Sequence, residues 1–167
     1  TSDESEPLIT RKKELFDNVI PSSNAIMVDN LLRLGTITYK ESYLDTANNM
    51  INQVAHLIAQ EPEYMAAWSE AALNMKNDFA EISIVGEKAL QFSHKINKRF
   101  IPNQITIPAE APLSFAESQA FKTALDDQTT VYVCYDKVCQ RPVFSVEETF
   151  DLLNIPIEVK LKIVDIE

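Results

Sequence analysis

Near residue 79 the spacing of apolar residues changes, and that change limits what the chain can fold into. Before it, apolar side chains recur every three or four positions; after it, short strand-like runs alternate with helical ones. Over residues 40–60, Tyr43, Leu44, Ala47, Met50, Ile51, Val54, Leu57 and Ile58 mark one face of a helix. Pro62 stands where a helix-starting proline would, and Tyr64, Met65, Trp68, Ala71, Ala72 and Met75 repeat the pattern. Two antiparallel helices joined by a short turn are expected. Upstream, Pro21-Ser22-Ser23-Asn24 offers capping residues to a helix over 25–34, with Gly35 in the place of a C-terminal cap. Apolar residues cover most of that helix's circumference, which predicts an inner helix sheathed by others. Residues 8–19 carry a weaker pattern, compatible with an extended start and a short helix.

Beyond residue 79, Glu81–Val85 reads as a buried strand, and Gly86 permits a tight turn into a helix marked by Ala89, Phe92, Ile96 and Phe100. Residues 103–108 alternate like a second strand, 113–125 look helical, and 129–135 are rich in strand formers. Strand, helix, strand, helix, strand predicts a small parallel sheet. Ser145 and Glu148 match a capping box opening a last helix through Leu153, and Ile155–Ile163 alternates like a strand with one wet face. The expected fold class is α+β: a helical region over 1–78, then a small three-stranded, mostly parallel α/β domain over 79–167.

The length of 167 residues suits one domain or two small ones, and 46% apolar with 24% charged residues is a globular composition. A net charge of −10 repels phosphate backbones and anionic lipid, so neither nucleic acid nor membrane is an expected partner. No apolar run approaches a membrane span, and the acidic opening TSDESEP is unlike a signal peptide. With only Gly35 and Gly86, the glycine-rich phosphate-binding motifs are excluded. Two cysteines are too few for a disulfide-stapled secreted scaffold, so a reducing, cytoplasmic setting is expected.

Cys134 and Cys139 could bind metal or cycle between thiol and disulfide, a thiolate being favoured by Lys137 or Arg141. A structural zinc site takes four ligands, and His56 and His94 are distant in sequence, so neither metal nor cofactor is expected. The plain alternative buries Cys134 in a strand and leaves Cys139 in the following turn, as small apolar fillers. No GxSxG elbow is present for a serine triad. Glu14 and Asp17 precede the polar turn at Ser22, Ser23 and Asn24; their plain reading is helix capping and a solvated face, with acid–base work the alternative.

Two passages carry a family resemblance. Residues 10–35 contain Arg11, Lys13, Glu14, Asp17, Pro21, Ser22 and Asn24, then Leu31–Leu34; residues 131–153 contain Val131–Cys134, Cys139 and Pro142. They resemble the family patterns R-x-K-E-x-x-D-x-x-x-P-S-x-N-S and V-Y-V-C-x-x-x-x-C-x-x-P of the C-terminal part of thioredoxin-domain proteins related to spermatogenesis-associated protein 20. Ser23 and Ala25 depart from a frequent glycine and serine there, and the chain after residue 153 has no counterpart. The resemblance implies a longer parent, with an N-terminal thioredoxin-like domain as partner. It also implies a toroid of helical hairpins like sugar epimerases and six-hairpin glycosidases, of which this chain would be the end. It would place Arg11, Glu14, Asp17, Ser22, Ser23 and Asn24 by a cleft. Glu14 or Asp17 would then be acid or base, with Arg11 holding a sugar-like or small polar substrate. The competing expectation is a noncatalytic module that positions the thioredoxin-like domain or binds a protein. Helix faces uncovered by truncation would favour a dimer of the fragment.

Overall fold

The computed structural model describes residues 14–77 and 79–154. They form a mixed α/β protein of two compact units. The first takes in the described residues up to Gly35 together with Lys40–Asn77; the second takes in Thr36–Tyr39 and the described residues from 79 onward. The expected strand over Ile155–Ile163 lies outside the described residues, as does Arg11.

In the helical unit, α1 spans Ser23–Thr38, α2 Glu41–Gln60 and α3 Ala66–Lys76, with a short 3-10 turn over Pro62–Tyr64 between the last two. The core gathers Ala25, Val28 and Leu32 of α1, Ala47, Ile51 and Val54 of α2, and Met65, Trp68 and Ala71 around α3. These are the apolar positions that helical spacing brings onto one face. Two expectations for α1 are corrected. Gly35 does not cap the helix; it lies inside it, where a Cβ would fall 2.5 Å from Leu44 Cδ2. A glycine is needed there because α2 begins too close to leave room for a methyl group. Nor do the described residues sheathe α1 on all sides, since Ile26, Met27 and Leu34 are exposed. Residues 14–22 hold no helix.

The second unit is a four-stranded sheet of β1 (Ala80–Val85), β2 (Gln104–Ala109), β3 (Thr130–Tyr135) and β4 (Val138–Cys139) in the order β2-β1-β3-β4. Helix α4 (Ala89–Ile96) links the parallel pair β1 and β2; α5 (Val146–Leu152) closes the described chain. Every residue of β1 is buried, as suits a central strand covered on both faces. Ala80, Ile82 and Ile84 join Val131, Val133, Ala89, Ile96, Val146 and Phe150 in the core on one face. At Gly86, φ is +130° and a Cβ would stand 2.8 Å from Thr129 Cα, so the tight turn expected there requires glycine.

Among the described residues the sheet is mixed rather than mostly parallel, and it has four strands rather than three. β3 runs antiparallel to β1 because it starts at the end of the sheet where β2 finishes, so no crossover helix is needed. The expected helix over 113–125 is accordingly absent except for a 3-10 turn at Glu117–Gln119. This connection turns Ala116, Ser118, Gln119 and Lys122 inward and leaves Phe121 97% exposed. Two of these polar residues find partners inside: Gln119 Nε2 donates to Ile107 O at 2.6 Å and Lys122 Nζ to Ser83 Oγ at 3.1 Å. Phe100 lies past the end of α4 and is exposed. Ser145 caps α5 as its motif predicts: its Oγ accepts the Glu148 N–H at 3.2 Å and donates to Glu148 Oε2 at 2.9 Å. The backbone N–H of Phe144, followed by that serine hydroxyl, holds the Glu148 carboxyl below its ordinary range.

Candidate functional site

Four of the residues singled out from sequence meet in the loop that leads into α1. Asp17 binds the loop to α3: its Oδ2 accepts the Ala67 N–H at 2.7 Å and its Oδ1 accepts the Ser22 N–H at 2.8 Å. Met65, ahead of α3, has no side chain able to cap, so a carboxylate from 50 positions away satisfies that helix start instead. Ser22 Oγ donates to Glu14 O at 2.9 Å, and Asn24 Nδ2 donates to the same carbonyl at 2.7 Å. Trp68 Nε1 donates to Leu15 O at 2.7 Å, pinning the next residue. Glu14 thus joins the cluster through its backbone, while Ser23 is exposed at the first position of α1.

The outer side of this loop borders a groove of about 870 Å³, shared with Leu57, Glu61 and Tyr64. Phe16 and Tyr64, both in its lining, meet edge to face with ring centroids 6.4 Å apart. Glu14, Asp17 and Glu61 are the acidic residues of the lining, and Val19 and Ile20, also in it, are 95% and 69% exposed.

A second polar cluster, in the sheet unit, had not been singled out. Alternation along β1 sends Glu81 and Ser83 to the face opposite Ile82 and Ile84, and both are buried. Tyr39 Oη donates to Glu81 Oε2 at 2.9 Å, and the backbone N–H of Lys137 donates to the same carboxylate. Burial pushes the Glu81 carboxyl above its ordinary value, and the Tyr39 hydrogen bond, the Lys122 charge and the Lys137 N–H pull it part of the way back. Burial lowers Lys122, against the pull of Glu81, and it raises the Tyr39 phenol, with the Glu81 charge adding to the effect. A lysine on a serine hydroxyl is the arrangement of base and nucleophile. Ser83 has no exposed surface, however, so no substrate reaches it. A glutamate and a serine alternating with isoleucines were the signal available in the sequence.

Cys134 and Cys139 are joined as a disulfide, with Cα atoms 3.8 Å apart. Cys139 lies in β4 rather than in the turn, directly opposite Cys134. The turn itself is Asp136-Lys137, with φ of 45° and 66°. Both central residues in the left-handed region define the two-residue hairpin loop whose twist matches its strands. His56 and His94 are exposed, and among the described residues no group of three or more His, Cys, Asp or Glu is placed to hold a metal. No helix among them is long and apolar enough to cross a membrane.

A helical unit with an acid-rimmed groove and a mixed-sheet unit with a polar inner face define a two-unit α/β protein. Over 86% of its length the chain is 26% identical to spermatogenesis-associated protein 20 of Homo sapiens, covering 20% of that protein. It is 28% identical, over the same share, to the protein of that name in Rattus norvegicus, covering 19% of it. An uncharacterised protein of Caenorhabditis elegans is 26% identical over 89% of the chain and 21% of its own length. This homology supports a link to the spermatogenesis-associated protein 20 family. The chain spans about a fifth of the length of these relatives. No family model and no solved structure matches.

Proposed function

We propose that the helical unit supplies one wall of a cleft that binds a small polar, sugar-like molecule in a longer protein. The observation that carries this reading is the groove itself, a concavity whose lining includes Glu14, Asp17 and Glu61 together with the aromatic residues Phe16 and Tyr64. Ring faces pack on the apolar faces of a sugar, while carboxylates accept from its hydroxyls. Glu14 and Glu61 are the groups assigned to the ligand, with Glu14 as the acid or base of any reaction. Asp17, Ser22 and Asn24 hold the wall in shape through bonds to the main chain. The test is ligand-dependent thermal stabilisation of the full-length protein by sugar phosphates and amino sugars. Glu14→Gln and Glu61→Gln should each abolish the shift. A shift that survives both substitutions, or none with any sugar, refutes the reading.

The exposure of Val19 and Ile20 on the rim favours a second reading, a noncatalytic module that docks another part of the parent protein or a partner. On that reading Val19→Asp abolishes association while Glu14→Gln leaves it intact.

A further inference from the structure

We propose that Cys134 and Cys139 are a thiol–disulfide exchange site, reduced by an external dithiol that attacks Cys139, with Glu81 passing a proton to Cys134. The proposal is independent of the groove and rests on three features of the sheet unit.

The first is pre-organisation. The two cysteines are direct cross-strand partners at the base of a two-residue turn, so the bond opens and closes without a change of register. A structural staple has least to gain here. Loop-closure entropy is smallest for short loops, and this one is already closed by its turn and ladder. The second is asymmetric access. Cys139 sits exposed on a two-residue edge strand, whereas Cys134 is fully buried. An attacking thiolate therefore enters from the Cys139 side, and Cys134 is the leaving sulfur.

The third feature is Glu81, the register partner of Cys134 on its other side. Directly opposed residues in an antiparallel pair share one face of the sheet, so the carboxyl neighbours the leaving sulfur. It also reaches into the ring closed by the cysteines, where it accepts the Lys137 N–H. The groups facing it are Tyr39 from the end of α1, Lys122 from the connection before β3, and Asp136 and Lys137 from the turn. Burial raises the proton affinity of the Glu81 carboxyl, which suits a proton donor to a thiolate formed out of reach of water.

The steps balance. A thiolate of the dithiol bonds to Cys139 Sγ, the disulfide bond breaks, and its electron pair leaves on Cys134 Sγ, which takes the Glu81 proton. The second thiolate of the dithiol then displaces Cys139, which is protonated from solvent, and Glu81 is reprotonated from solvent. The dithiol becomes a disulfide, and the protein gains two electrons and two protons.

Oxidised, folded protein is treated with dithiothreitol over a range of pH, near-ultraviolet circular dichroism reports the fold, and after an acid quench free thiols are counted by maleimide mass-tagging in denaturant, because Cys134 is buried. Two tags are expected, and none where glutathione disulfide is added before the quench. Glu81→Gln should slow reduction about tenfold or more and change its pH profile. Protein that yields two tags only when it is unfolded before the dithiothreitol is added overturns the exchange site, a result that needs no variant. An unchanged rate and profile in folded Glu81→Gln overturns the role of Glu81; Tyr39→Phe, which removes a hydrogen bond that lowers Glu81, should move the pH profile of reduction to higher pH, and an unmoved profile overturns that role too.

Discussion

Tyr39 and Glu81 stand 42 positions apart and are joined by a 2.9 Å hydrogen bond from the phenol to the buried carboxylate. Tyr39, which follows α1, is in the left-handed region with φ of 52°, and Lys137 Nζ lies 5.3 Å from its ring centre. Within the second unit the bond therefore ties Tyr39, the central strand and the β3–β4 turn to a single carboxylate. Tyr39→Phe keeps the ring and removes the donor, leaving Glu81 with less compensation for its burial. Urea denaturation should show a loss of about 1–3 kcal/mol, the scale of leaving a buried acceptor without its donor. A variant as stable as the parent would show that the hydroxyl contributes nothing.

Burial of Glu81 also sets a pH dependence. Because its folded value lies above the ordinary 4.5, the folded state holds the proton more tightly than the unfolded chain. The resulting stabilisation is complete below about 4.5 and is lost as pH rises through the higher folded value. Lys122 works from the other end. Its folded value lies below 10.5, so its contribution is present above that pH and is lost as pH falls through the folded value. Glu81→Gln removes the first dependence. The stability of the parent relative to Glu81→Gln, from urea curves at a series of pH values, should fall as pH rises from about 4.5. A flat or rising difference contradicts the assignment.

What could be read from the sequence was what local spacing encodes. The 3.6 period of α2 and α3, the turn at Gly86 and the cap at Ser145 were legible because each depends on neighbours within a few positions. The missed features depend on distant ones. Residues 113–125 spell a helix by composition, yet they line a polar sheet face and give up helical bonds to reach Ile107 and Ser83. The grouping of Glu14, Asp17, Ser22 and Asn24 was visible, but not that Asp17 answers to Ala67. Glu81 looked like the edge of an apolar strand because nothing near it in sequence announces Tyr39 or Lys122.

Gly35 sets two known effects against each other. In a helix interior, glycine to alanine ordinarily gains about 1 kcal/mol. Here the added methyl would meet Leu44 at 2.5 Å from Cδ2 and 2.7 Å from Cγ, so the whole leucine side chain has to move. Overpacking of that kind costs about 1–3 kcal/mol, which offsets or exceeds the helix gain. Gly35→Ala should not stabilise the protein and should lower its melting temperature. In a Leu44→Ala background, where the clash is gone, the same change should raise it.

Asp17 and Glu14 are three positions apart and border the same groove, but they are bound into the fold differently. Both oxygens of Asp17 accept main-chain N–H groups, one from the start of α3 and one from the turn before α1. Glu14 contributes its carbonyl, which any residue would supply equally well. Asp17→Ala therefore leaves two N–H groups without their acceptor and should cost about 2–3 kcal/mol, as hydrogen bonds to a charged group do. Glu14→Gln should stay within about 0.5 kcal/mol of the parent, as exposed substitutions away from such features do. Thermal melts of the two variants side by side check this directly. If Glu14→Gln destabilises as much as Asp17→Ala, its carboxylate belongs to the framework and is not available to a ligand. If Asp17→Ala is neutral, the loop is held by Trp68, Ser22 and Asn24 alone, and Asp17 returns as a candidate acid or base.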